Sequence, residues 1–308
     1  MGRPVPSVIA VPRPLTVLRA LLVLAAVTWI VLEFRSAAAD SGSASWPSPG
    51  RLALAAVCVA MTLLCAALNW AALVGVGRRA VLVRGFLIAQ LGKYVPGGVV
   101  QLVGQADSAR RAGAAPRSIA VALPVHALST TVGAGAVAAI GLAVAGAQLT
   151  PSTRLSLGVA GAAVSAVVLS RGGAAFLLAR LHRRWPRVPD GSVMPSRRAV
   201  AVAVAVGCVG SACYGAAFVL IADVPGAGPA ASVALGAAFV VAFTLGFLVV
   251  PMPAGLGVRE AALVVLLEPY ASPATVLAAS IGLRIVQLVV EIAVSAIAGI
   301  AVRVGGVT

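Results

Sequence analysis

Residues 85–104 read GFLIAQLGKYVPGGVVQLVG, and residues 230–268 read AASVALGAAFVVAFTLGFLVVPMPAGLGVREAALVVLLE. Both are apolar, and both are broken: by Val95-Pro96-Gly97-Gly98 in the first, and by Pro251-Met252-Pro253-Ala254-Gly255-Leu256-Gly257 in the second. Proline removes a backbone donor and collides with the preceding turn, and glycine favours open backbone. Such a break exposes peptide groups. At membrane depth it must be buried in protein or line a watery cavity, not face lipid.

The rest of the chain supplies the membrane. Of 308 residues, 61% are hydrophobic and 10% charged, and the mean hydropathy is +1.06. A soluble domain is about half apolar and about a quarter charged, so a soluble enzyme and a disordered chain are both excluded. The expected fold is an all-α integral membrane protein, a single membrane domain over 1–308. Six stretches approach the ~20 apolar residues of a membrane-crossing helix: 15–32, 52–76, 118–146, 155–170, 199–222 and 274–302. Ser196 is placed to cap the fifth, and Ser272-Pro273 to open the sixth. Arg13 and Arg19 before the first stretch, and Ala37-Ala38-Ala39 after it, imitate a cleaved signal. Glu33 and Arg35 sit awkwardly for cleavage, so an uncleaved helix is expected.

Charge orients the spans. Arg78, Arg79 and Arg84 precede the first broken stretch, and Arg110, Arg111 and Arg117 follow it, with Asp107 among them. Both flanks are basic and should lie on the cytoplasmic side, so the stretch enters and leaves on one face as a re-entrant hairpin. The loop 171–198 carries seven arginines against Asp190 and reads as cytoplasmic. Its 183–187 cluster suits anionic head groups. The second broken stretch lies between Asp223 and Glu268, with no basic flank, and should enter from outside. The expectation is therefore about six full spans plus two re-entrant hairpins in an inverted-topology repeat, the first repeat about 15–146 and the second about 155–302. Both termini would be cytoplasmic. An ordinary eight-span bundle is the alternative, and it would put one basic flank outside.

Charged groups at membrane depth are costly, which singles out a small set. Lys93 precedes the first break; Arg259 and Glu260 follow the second; Arg284, Gln287 and Glu291 share one face of the last span. Three cations and two carboxylates leave one positive charge. Backbone donors near Gly98 and Gly257 would add to an anion site, with Pro96, Gly97, Pro253 and Gly255 shaping the breaks. A phosphate-bearing lipid fits such a cavity. A buried structural network, with Arg284 paired to Glu291 or Glu260, is the competing reading. Tyr94, Gln101 and Gln105 could meet a head group. His126, two residues after Pro124, reads either as a cavity ligand or as a packed histidine.

Other chemistry is thin. Cys58, Cys65, Cys208 and Cys213 sit in apolar runs without CxxC spacing, so no metal and no cofactor is expected. Gly133-Ala134-Gly135-Ala136-Val137-Ala138 loosely imitates a dinucleotide loop, but no strand precedes it; close helix packing explains it better. No nucleophile elbow or P-loop lysine is present, which speaks against an ATP-driven pump. The net charge of +15 suits an anionic membrane surface rather than nucleic acid.

The segments Lys93-Tyr94-Val95-Pro96-Gly97-Gly98-Val99-Val100-Gln101 and Val250-Pro251-Met252-Pro253-Ala254-Gly255-Leu256-Gly257-Val258-Arg259-Glu260 resemble the flippase-like membrane domain of bacterial lysylphosphatidylglycerol synthases. Asn69-Trp70-Ala71-Ala72-Leu73 and Arg284 support the resemblance. Ala254 stands where that family usually has glycine, and His126 where an acidic residue is common. The resemblance implies a lipid-translocating or lipid-binding domain in a bacterial cytoplasmic membrane. The chain stops at Thr308, so lysyl transfer from tRNA is not expected of it. The leading expectation is a flippase-like protein for a phospholipid or polyprenyl-linked lipid. The alternatives are a membrane lipid-modifying transferase using Glu260 or Asp107 as base, and a non-transporting partner of a separate lipid synthase. Small-residue faces would permit a homodimer.

Overall fold

The fold comes from a computed structural model that describes residues 47–94, 99–144, 195–248 and 257–305. Eight α-helices and one 3-10 turn make up the described residues, and no strand occurs among them. They are α1 (Pro49–Val74), α2 (Arg79–Ala89), the 3-10 turn (Gln90–Tyr94), α3 (Val99–Arg111), α4 (Pro116–Val144), α5 (Arg197–Ala222), α6 (Pro229–Leu248), α7 (Val258–Leu267) and α8 (Pro273–Gly305). The expected spans 15–32 and 155–170, and most of the basic loop 171–198, lie outside the described residues. The other four expected spans are α1, α4, α5 and α8.

Local chemistry sets the boundaries. The Ser196 hydroxyl accepts from the Ala199 backbone at 3.1 Å, and the Ser272 hydroxyl from Thr275 at 3.3 Å. Each satisfies one of the donors that a helix start leaves open. Gly75 ends α1 in the left-handed region, at φ 71°.

Five helices are long and apolar enough to cross a membrane: α1, α4, α5, α6 and α8. That α6 is among them qualifies the simple hairpin expected at 230–268. Its proline break comes late, so 20 residues run unbroken before it, while α7 has only 10. At about 1.5 Å per residue the arms are roughly 30 and 15 Å long.

Helices α1 and α5 lie antiparallel along their length. Arg51 pairs with Asp223, Thr62 Oγ1 donates to the Gly210 carbonyl at 3.0 Å, and Asn69 Nδ2 to the Ala203 carbonyl at 2.8 Å. Small residues let α4 join them. A Cβ on Gly133 would come within 2.6 Å of the Gly207 backbone, so the glycine–alanine run of α4 serves close packing. One apolar cluster gathers around Phe218, Phe239, Leu263 and Leu283. A second gathers around Trp70, Leu82 and Phe86.

Helices α2 and α3 form an antiparallel pair with a readable register. Gly85 faces Ser108, Gly104 faces Ala89, and Gly92 faces Gln101 so closely that a Cβ would sit 2.6 Å from the Gln101 nitrogen. All three pairs share one midpoint, between Pro96 and Gly97. Neither helix is among those able to cross: their 11 and 13 residues give about 16 and 20 Å against a core of about 30 Å.

This packing sorts the charges by end. The starts of α2, α4 and α5 and the finish of α3 lie together, displaying exposed Arg78, Arg79, Arg110, Arg111, Arg117, Arg197 and Arg198. Asp223 and the start of α8 lie at the other end. Gly282, nine residues into α8, packs on Ile221.

Candidate functional site

Helix α8 measures the depth of both broken stretches. Ser280, Arg284, Gln287, Glu291 and Ser295 recur at spacings of four, three, four and four, which places them on one helix face. Near the end where α8 starts, Glu260 of α7 meets Ser280 and Arg284. Toward the basic end, Glu291 meets Lys93 and Tyr94, and the Ser295 hydroxyl donates to the Leu87 carbonyl at 2.9 Å. The described residues beside the two breaks, Lys93–Tyr94 and Glu260, thus meet α8 at separate levels. Their partners on α8, Arg284 and Glu291, are seven residues apart, about 10 Å along its axis, with Gln287 between them.

Each carboxylate is fully engaged. Glu260 is 1% exposed. Its Oε1 accepts from Arg284 Nη2 at 2.7 Å, Arg284 Nε at 3.2 Å and the Ser280 hydroxyl at 3.2 Å. Its Oε2 accepts from the Gly257 backbone N–H at 2.9 Å. Gly257 sits at φ 84°, where a side chain would be strained, and this places the N–H on the carboxylate. Glu260 therefore caps α7 and ties it to α8 at once. Glu291 is also 1% exposed. Its Oε1 accepts from Lys93 Nζ at 2.5 Å and Gln287 Nε2 at 2.6 Å, and its Oε2 accepts from the Tyr94 hydroxyl at 2.9 Å. The Tyr214 hydroxyl of α5 donates to the side-chain Oε1 of Gln287. A hydrogen-bonded chain therefore runs from Tyr214 through Gln287 and Glu291 to Lys93.

Arg259 is the exception. It is 3% exposed, yet its Nε and Nη2 have no hydrogen-bond partner, and no ion pair holds it among the described residues. Its guanidinium carbon lies 4.7 Å from the Phe239 ring centre and 5.9 Å from that of Phe243. Tyr214 packs edge-on against both rings, at 4.9 Å each. A buried cation over an aromatic face gains about 2 kcal/mol. That is small beside the cost of desolvating an unpaired charge. The surplus positive charge of the site is therefore local, on Arg259, whose Nε and Nη2 are unpaired.

The structure brings Lys93, Tyr94, Gly257, Arg259, Glu260, Arg284, Gln287 and Glu291 together along α8 as two hydrogen-bonded sets, one on Glu260 and one on Glu291, with Arg259 on the aromatic platform that Tyr214 shares. Pro96, Gly97, Gly98, Pro253 and Gly255 lie outside the described residues. Gln101 is elsewhere in the hairpin, donating to the Gln90 side chain across its two arms at 3.2 Å. His126 belongs to a different cluster: its Nδ1 lies 3.1 Å from Asn69 Oδ1, and its ring meets Trp70 and Phe86 edge-on. Asn69 also bonds Ser129 and the Ala203 carbonyl there. Asp107 pairs with exposed Arg111 one turn away, at 2.8 Å. Tyr214, Ser280 and the Phe239–Phe243 platform complete the network. No charge marks them in the sequence; only Tyr214, one of three tyrosines, stands out.

The family model described as the lysylphosphatidylglycerol synthase TM region matches residues 16–295. No curated protein matches the chain significantly. The chain belongs to this family, and its five long apolar helices make it a multi-pass membrane protein with a lipid-related role.

Proposed function

We propose that this family member binds the phosphate of an anionic lipid at Arg259, between the two opposed breaks, and carries the head group across the membrane while the tails stay in lipid. The observation that carries this reading is Arg259 itself: a buried guanidinium on an aromatic platform, with two unpartnered N–H groups. A guanidinium offers a planar fork that matches phosphate oxygens. Lys93 and Arg284, also expected to contact phosphate, are already committed to Glu291 and Glu260. In this account they hold the breaks in place, and Arg259 is the ligand.

The membrane frame follows the same reading. The basic end is cytoplasmic, in accord with the bias of Lys and Arg, in a bacterial cytoplasmic membrane. The α2–α3 pair enters from that side and the α6–α7 pair from the other, as an inverted repeat whose tips flank the site. Both termini then face the cytoplasm. A phospholipid or a polyprenyl-linked lipid supplies the anion. A second copy of the chain, or a separate lipid synthase, is a compatible partner.

The test is transport. Purified protein in liposomes carrying a trace of fluorescent phosphatidylglycerol should speed loss of fluorescence to an external quencher. Arg259→Gln, folded by size-exclusion and circular dichroism, should transport at least about tenfold more slowly, since each hydrogen bond to a charged group contributes roughly 1.5–3 kcal/mol. Transport by Arg259→Gln at the unmodified rate would refute the proposal.

A further inference from the structure

Tyr214 stands between Arg259 and the hydrogen-bonded set on Glu291. It is 5% exposed. Its ring packs edge-on against Phe239 and Phe243, the same two rings that carry the Arg259 guanidinium. Its hydroxyl interacts with the Arg259 side chain as well, so this one group reaches both the cation and Gln287. A phenol has a single proton to donate. In the structure that proton goes to Gln287 Oε1. Gln287 in turn gives its own Nε2 to Glu291, at 2.6 Å.

We propose that Tyr214 is a second phosphate donor, for which Gln287 competes. This rests on the reading of Arg259 as the phosphate ligand. With the site empty, the Tyr214 proton satisfies an amide oxygen that would otherwise be buried without that donor. With a phosphate on Arg259, the same proton turns to a phosphate oxygen. The charged acceptor makes the stronger hydrogen bond, and the proton turns about the C–O bond while the ring stays packed. Gln287 then loses its donor. Two acceptors thus share one proton, and Gln287 lowers the affinity for a head group that a carrier must also release. The hydroxyl adds a neutral donor beside the guanidinium fork, so it strengthens phosphate binding without adding charge to the site.

The experiment is a double-mutant cycle read by lipid binding. Native mass spectrometry of the detergent-solubilised full chain would titrate phosphatidylglycerol and, as a lipid with the same tails and no phosphate, diacylglycerol. Tyr214→Phe keeps the packed ring and removes only the hydroxyl. It should weaken phosphatidylglycerol binding about three- to tenfold and leave diacylglycerol unchanged. The factor is modest because the bond to phosphate replaces the bond to Gln287. Gln287→Met removes the competing acceptor and should tighten phosphatidylglycerol by at least about threefold. Added to Tyr214→Phe, Gln287→Met should bring no gain. Equal or tighter phosphatidylglycerol binding in Tyr214→Phe would overturn the proposal, as would an equal loss of both lipids, the mark of a packing role. Unchanged or weaker binding in Gln287→Met, or a gain that persists without the hydroxyl, would also overturn it. Should Gln287→Met be too unstable to titrate, Gln287→Asn withdraws the oxygen by one methylene and carries the same expectations. Failure of the underlying reading shows separately, as phosphatidylglycerol binding that is indifferent to Arg259→Gln.

Discussion

Lys93 and Glu291, 198 residues apart in the chain, meet at 2.5 Å where the tip of the first hairpin touches the last helix. Seven residues earlier on the same face of that helix, Arg284 holds Glu260 at the second break. One helix thus pairs with the described residues beside both breaks, and a third cation, Arg259, has no carboxylate partner among the described residues.

The two kinds of ion pair in the molecule should respond differently to deletion. Arg284→Ala strands a fully buried carboxylate and should cost about 3–5 kcal/mol. Arg51→Ala breaks a pair whose two side chains are each 38% exposed, and should cost no more than about 1 kcal/mol. Thermal aggregation in detergent would compare them. A larger loss for Arg51→Ala would contradict the burial argument.

Asn69 is 0% exposed and serves Ala203, Ser129 and His126 at once. Asn69→Ala leaves the Ala203 carbonyl without that bond and should destabilise by about 1–3 kcal/mol, loosening α1 from α5. Hydrogen exchange should show faster opening around 200–207. Unchanged protection there would show that the amide does not tie the two helices.

Gly133 meets Gly207 with no room for a side chain. Gly133→Leu should force α4 off α5 at a cost of about 3 kcal/mol, read as reduced yield of monodisperse protein. Gly50, with open space around it, should accept alanine with no measurable loss.

Orientation yields a further prediction. In a background lacking the four cysteines, cysteine at Arg79 and cysteine at Arg117 should both react with an impermeant reagent from the cytoplasmic face only. Cysteine at Asp223 should react from the opposite face. Labelling of positions 79 and 117 from different sides would convert α2 and α3 into crossing helices and remove the hairpin.

Much of this was legible in the sequence. Pro96-Gly97 marks the hairpin midpoint because proline and glycine end helices locally, and locally encoded features need no tertiary knowledge. The same holds for Ser196 and Ser272 as caps, and for the shared face of Arg284, Gln287 and Glu291, which follows from helical period. Pairing was not legible. Whether Arg284 would choose Glu260 or Glu291 depends on the depth each break reaches, and spacing along one helix does not give that depth. Tyr214 lies in a uniformly apolar span, so nothing in its neighbours signals that its hydroxyl meets Gln287. That α6 runs 20 residues and α7 only 10 is not given by the proline and glycine positions, which mark a break but not how deep each arm reaches. His126 joins Asn69 because of how α1 and α4 pack, which periodicity does not resolve.

Lipid binding tests the central claim most directly. Phosphatidylglycerol affinity of the purified full chain, measured by native mass spectrometry, should fall on the order of 30–150-fold in Arg259→Gln, the loss of about 2–3 kcal/mol of charge-assisted hydrogen bonding. Arg259→Lys should fall between, since an ammonium keeps the charge and loses the fork. Equal affinity across all three proteins would contradict the account.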